Sequence, residues 1–233
     1  MGEWTLEQTS GEGPPPLYLH SAVVYREEMY VFGGSVGRDS AAMYRFTFAT
    51  KRWEQLQPVP NSLWPSARYG HSACVHGDSM ILVGGCSQST SYYSDAYQFS
   101  FALGVWRPLR DIATFTGAKI DLAYHSILGN LGPERDRVLC IGGYNGVRFS
   151  EQIYELTLPA GAPSAAAASA SWNALPVTAK QRGPVAASGL RQPAPSCGAA
   201  IVATPDGAAL YCFGGQLDEA ACVEAKVAVL CGF

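Results

Sequence analysis

One short pattern occurs four times in this chain: an apolar strand that ends in two glycines. The copies are Tyr30-Val31-Phe32-Gly33-Gly34, Ile81-Leu82-Val83-Gly84-Gly85, Leu139-Cys140-Ile141-Gly142-Gly143 and Tyr211-Cys212-Phe213-Gly214-Gly215. Their first glycines lie 51, 58 and 72 residues apart. A pattern recurring at tens of residues specifies stacked units, each burying its apolar face on the next. The 233 residues are therefore expected to form one repeat domain, 1–233, rather than two separate folds. With 48% apolar and 15% charged residues, the chain can bury a sizeable core, and its 25 glycines and 15 prolines suit many short strands joined by turns.

The second unit reads most clearly. Residues 65–75 form a first strand and His76-Gly77-Asp78 a tight turn. Ser79 to Val83 is a continuous apolar run, the pattern of a strand covered on both faces. Gly84-Gly85 then allows close approach from a neighbouring backbone. Alternating Tyr97, Phe99 and Phe101, a turn at Leu103-Gly104 and a strand around Trp106 complete a four-stranded meander. In the first unit His20-Ser21-Ala22-Val23-Val24 matches His71-Ser72-Ala73-Cys74-Val75, and Tyr44 precedes Trp53 by nine residues, as Tyr97 precedes Trp106. The third unit carries Tyr124-His125-Ser126, and its Tyr154 to Trp172 interval is lengthened by an Ala/Ser-rich segment, Pro159 to Ser171, read as a flexible hairpin loop. The fourth has Ala199 at the histidine position and lacks both the tyrosine and the tryptophan. The aromatic residues are expected to fill space between units.

An apolar strand, Gly-Gly, Tyr and then Trp at roughly 50-residue spacing resembles the kelch repeat. Locally, Tyr44 to Trp53 is similar to leucine-zipper-like kelch regulators, although no BTB segment accompanies it. The resemblance implies an all-β, kelch-type β-propeller with four recognisable four-stranded blades, near 14–57, 65–110, 117–175 and 190–233. Two arrangements remain open: a small closed ring, or a portion of a larger propeller. Glu3-Trp4-Thr5-Leu6-Glu7 is similar to Arg52-Trp53-Glu54-Gln55-Leu56, so residues 1–8 are expected to supply a closing outer strand to the fourth unit.

The net charge of −3 argues against a nucleic-acid partner, and no apolar run approaches membrane-spanning length. The seven cysteines, an odd number without a close pairing motif, read as reduced thiols of a cytoplasmic protein, the nucleus remaining open. His20, His71 and His125 open equivalent strands. A zinc site needs three or four convergent ligands, so a structural role is expected for them, and no metal or cofactor. Some kelch propellers are enzymes, and a metal-dependent oxidase or lyase-like activity is the alternative reading. The iron-site pattern of plant specifier proteins is only half present, in Asp121 and His125, with Gly117 where the glutamate belongs. The preferred reading is a non-catalytic scaffold that binds a partner protein through loops on one face. By position the resemblance assigns Arg38, Trp64, Arg68, Tyr92, Tyr93, Asn145, Arg148 and Phe149 to that face. Arginines beside aromatics suit an acidic or polar peptide segment. A competing structural role for Arg68 is a brace to Asp95.

Overall fold

The computed structural model describes residues 2–60, 62–88, 91–109, 122–131, 136–150, 153–158, 171–175, 198–204, 209–215 and 227–231. Its strands fall into four sheets. The first holds β1 (Ser10–Gly11), β2 (Ser21–Tyr25), β3 (Glu28–Phe32), β4 (Met43–Thr47) and β5 (Arg52–Leu56). The second holds β6 (Ser72–His76), β7 (Ser79–Val83), β8 (Ala96–Ser100) and β9 (Val105–Pro108). The third holds β10 (Ser126–Leu131), β11 (Arg137–Ile141), β12 (Ile153–Thr157) and β13 (Ser171–Leu175), and the fourth β14 (Ala200–Ala203), β15 (Ala209–Phe213) and β16 (Val227–Cys231). From β2 onward, strands consecutive within a sheet are antiparallel neighbours, so each unit is a meander. The register repeats too: Phe46 faces Trp53, Phe99 faces Trp106 and Leu156 faces Trp172. The Ala/Ser-rich segment accordingly joins two paired strands, although residues 159–170 lie outside the described residues.

The units are not uniform. Three strands of the fourth are described, whereas the first has a fifth because Ser10 and Gly11 pair in parallel with Arg52 and Trp53. The expectation that residues 1–8 close the fourth unit is corrected by this pairing. Trp4 is 103% exposed, Leu6 is exposed as well, and Lys51 Nζ donates to Glu7 Oε1 at 2.7 Å, holding the segment on the first unit. Ser10 and Gly11 cover part of the outer edge of β5, whose backbone groups they pair. Gly11, at φ +82°, brings the backbone against Trp53 where a side chain would collide.

Packing between units follows the two-residue period of the central strands. Tyr30 and Phe32 of β3 share a cluster with Met80 and Leu82 of β7. The alternate β7 residues, Ile81 and Val83, pack with Val138 and Cys140 of β11. Leu139 and Ile141, again the alternates, pack with Leu210 of β15. Full burial of one such side chain contributes about 1.5–3 kcal/mol, so these junctions dominate the core.

The Gly-Gly pairs and the histidines explain each other. The His71 ring sits over Gly33 of the preceding unit, where a Cβ would lie 2.7 Å from His71 Cε1 and 2.8 Å from the Arg68 carbonyl. His125 sits over Gly84 in the same way. Gly34 N–H donates to Arg68 O at 2.9 Å, and Gly85 N–H to Leu122 O at 2.8 Å. The serine after each histidine position reaches the next unit: Ser21 Oγ lies 2.9 Å from His71 Nε2, Ser72 donates to the His125 carbonyl and Ser126 to the Ala199 carbonyl. Just before these positions, Leu19, Gly70, Tyr124 and Gly198 all have φ between +57° and +72°. Gly70 N–H donates to Leu19 O at 2.9 Å, Tyr124 N–H to Gly70 O at 2.7 Å and Gly198 N–H to Tyr124 O at 2.7 Å.

Candidate binding face

Three loops leave the Gly-Gly strands, described at 33–42, at 84–88 with 91–95, and at 142–150. The local fold is the same in each. The residue after the glycines bridges both the entry to the unit's first strand and the far limb of its own loop: Ser35 with Tyr18 and Asp39, Cys86 with Tyr69 and Tyr92, Tyr144 with Ala123 and Phe149. Hydrogen bonds join the first two loops, Gln88 N–H donating to Asp39 Oδ2 at 2.8 Å and Gln88 Nε2 to Gly37 O at 3.1 Å. Aromatic contacts join the second and third. Tyr92 meets Tyr144 edge-on at 6.0 Å between ring centroids and covers Gly146, and Tyr144 packs on Phe149 at 5.1 Å. The result is a continuous surface with Arg38 and Arg148 exposed on it.

The structure divides the expected site residues. Arg38, Tyr92, Arg148 and Phe149 lie on the joined loops, the arginines exposed and the aromatics half-buried. Arg68 does not belong with them and is corrected to a structural brace. Its side chain is fully buried, donating to Asp95 Oδ1 at 2.5 Å, Asp95 Oδ2 at 2.9 Å and Gly84 O at 2.9 Å. Tyr93 stacks its ring 4.3 Å from the Arg68 guanidinium, and Trp64 donates through Nε1 to Ala41 O at 2.7 Å while its ring meets Trp106. Asn145 builds its own loop, Oδ1 accepting from Val147 N–H and Arg148 N–H. Position after the Gly-Gly pair located the loops but could not separate residues that hold them from residues that face outward. Gln88, Tyr144 and the 86% exposed Val147 escaped the sequence reading, although all three stand in the same loops.

Beneath the face, Cys86 Sγ lies 3.9 Å from the Tyr124 hydroxyl. Burial pushes the Cys86 thiol and the Tyr124 phenol upward and takes Tyr69 to about 12. All three are protonated at neutral pH, so Cys86 is not poised as a thiolate nucleophile. Burial likewise pushes the imidazoles down, His71 to about 3 and His125 to about 4, which keeps them neutral. Among the described residues no three His, Cys, Asp or Glu side chains gather as a metal-holding group. Nor is any helix among them long and apolar enough to cross a membrane.

Residues 1–184 match the model of the KLHDC2/KLHL20/DRC7 Kelch-repeats domain. The chain belongs to the kelch-repeat family. Among its curated relatives, Multiple epidermal growth factor-like domains protein 8 of Mus musculus is 28% identical over 166 residues, 68% of this chain and 6% of that protein. Kelch domain-containing protein 10 of Homo sapiens is 27% identical over 158 residues, 66% of this chain and 35% of that protein. Rho GTPase-activating protein gacHH of Dictyostelium discoideum is 33% identical over 104 residues, 44% of this chain and 7% of that protein. The kelch chain thus spans only a minor part of the length of these relatives. Kelch-repeat domains generally act as protein–protein interaction modules.

Proposed function

We propose that this kelch domain presents the three joined loops to a partner protein and holds an acidic or polar peptide segment there. The observation that carries the reading is the pair Arg38 and Arg148, exposed on the first and third of the joined loops, with half-buried Tyr92, Tyr144 and Phe149 in contact on the second and third. Guanidinium groups form charge-assisted hydrogen bonds with carboxylates, and half-buried aromatics supply contact area at low entropic cost. The buried brace of Arg68 supports this by fixing the base of the second loop, so little ordering remains to oppose binding. The free cysteines among the described residues, Cys74, Cys86, Cys140 and Cys212, support an intracellular setting.

A peptide array with Asp/Glu-rich, uncharged polar and Lys-rich segments tests the proposal. Retention should favour the acidic set. An Arg38→Ala/Arg148→Ala double variant should lose about tenfold or more in affinity, equivalent to about 1.4 kcal/mol, with an unchanged melting temperature. Equal retention of Lys-rich segments, or full retention by the double variant, would overturn it.

A further inference from the structure

The loop that follows β11 is built so that an asparagine must precede a glycine. Gly146 stands at φ +91°, and a Cβ there would lie 2.7 Å from Tyr92 Cε2, so its own backbone and the neighbouring loop both exclude a side chain. Asn145 Oδ1 accepts from Val147 N–H at 3.0 Å and from Arg148 N–H at 2.9 Å, while Asn145 N–H donates to Arg148 O at 3.2 Å. The bend is folded around the side-chain amide, and Gly146, Val147 and Arg148 are all exposed at its tip. The first loop bends without an amide. There Val36 stands directly before the glycine, its N–H donates to Arg38 O at 3.1 Å, and a Cβ on Gly37 would meet nothing within 4 Å. Asn130 differs in another way, because the residue that follows it is Leu131, whose branched side chain is buried.

We infer that Asn145 is a modification site at which the chain slowly converts its own amide into a carboxylate. With no side chain on the following residue, nothing shields the asparagine from attack by the next backbone nitrogen. The Gly146 nitrogen bonds to Asn145 Cγ, the Cγ–Nδ2 bond breaks, and Nδ2 leaves as ammonia with the proton that the Gly146 nitrogen gives up. Water then opens the succinimide ring at either carbonyl, leaving aspartate or isoaspartate at position 145. The two N–H groups on Oδ1 draw electron density from Cγ and face the oxygen on which charge grows as the ring closes. The new carboxylate stands in the same bend as Arg148. Resting on the acidic-segment reading above, the conversion offsets the Arg148 charge and weakens the hold of the loops on carboxylates. The face thus loses affinity as the molecule ages.

Incubation of the full chain at neutral pH and body temperature, with peptide mapping by mass spectrometry at intervals, tests this. The peptide holding Asn145 should turn progressively into its acid forms, isoaspartate among them, while Asn130 keeps its amide. An unchanged Asn145, conversion only after unfolding in urea, or equal conversion of Asn130 would overturn the inference. Binding is read separately with an Asp/Glu-rich peptide. The aged chain and a fresh Asn145→Asp variant should each bind it about threefold or more weakly than the fresh chain, with a smaller difference at high salt. Asn145→Ser, which has no amide to lose, should keep its starting affinity on ageing. Equal affinity of the fresh and converted chains would overturn the consequence drawn for the face. Conversion without any binding of the acidic peptide by the fresh chain would instead overturn the acidic-segment reading and leave the modification standing.

Discussion

Gly84 and Gly214 occupy the same place in their units and have opposite surroundings. Gly84 is pressed between the Leu122 carbonyl and the His125 ring, while Gly214 faces open space. The strands that precede them differ accordingly: all five residues of β7 are buried, whereas in β15 only Leu210 is fully so. The same sequence element is thus a core strand where units are described on both sides and a half-covered strand where one is described. Burial belongs to the junction rather than to the strand.

The sharpest way to break this comparison is to add volume at both glycines. Gly84→Val should unfold or aggregate the chain, because overpacking costs roughly 1–3 kcal/mol and the left-handed backbone at φ +60° about 1–2 kcal/mol more. Gly214→Ala should cost only the backbone part, about 1–2 kcal/mol. Equal shifts in melting temperature would mean that Gly84 is not held by its neighbour.

Next in size is Arg68→Ala. It strips the Gly84 carbonyl and the Asp95 carboxylate of their donor, and breaking a buried pair costs about 3–5 kcal/mol. Asp95 retains some solvent contact, so the loss should fall at the low end of that range, read as a lower midpoint in urea. Arg137, paired with Glu155 in the third unit but partly exposed, should cost less when replaced.

Acidification acts on the two covered histidines. His71 and His125 are depressed in the fold to about 3 and about 4, against about 6.5 when unfolded. The unfolded chain therefore binds more protons across that window, and stability falls as pH drops from about 6.5 toward the folded values, by about 1.4 kcal/mol per pH unit for each group. The contribution is fully present above pH 6.5. Melting temperature measured against pH should flatten in His71→Asn. The smallest effect is expected from Arg148→Ala, an exposed loop residue, which should shift stability by less than about 0.5 kcal/mol.

Much of the fold was legible because it repeats. The Gly-Gly pairs located β3, β7, β11 and β15, and the His-Ser alignment put Ala199 at the fourth histidine position, where the Ser126 contact finds it. The closing strand was misread because Trp4 resembles Trp53 in sequence, and likeness between segments does not say which edge a segment will cover. At the binding face, spacing marked the loops. It could not choose between an outward Arg68 and the brace to Asp95, because the buried brace depends on Asp95 standing 27 residues away with Tyr93 and Tyr97 flanking the guanidinium.

The left-handed residues Leu19, Gly70, Tyr124 and Gly198 carry one further consequence. Their amide-to-carbonyl bonds run from unit to unit in a single file, so among the described residues they couple each sheet to the next. Such a file behaves as a row of linked cooperative blocks and opens from its ends. The Tyr124 amide, whose bond to Gly70 joins the second and third units, should exchange with solvent more slowly than those of Gly70 and Gly198, whose bonds join the outer pairs of described units.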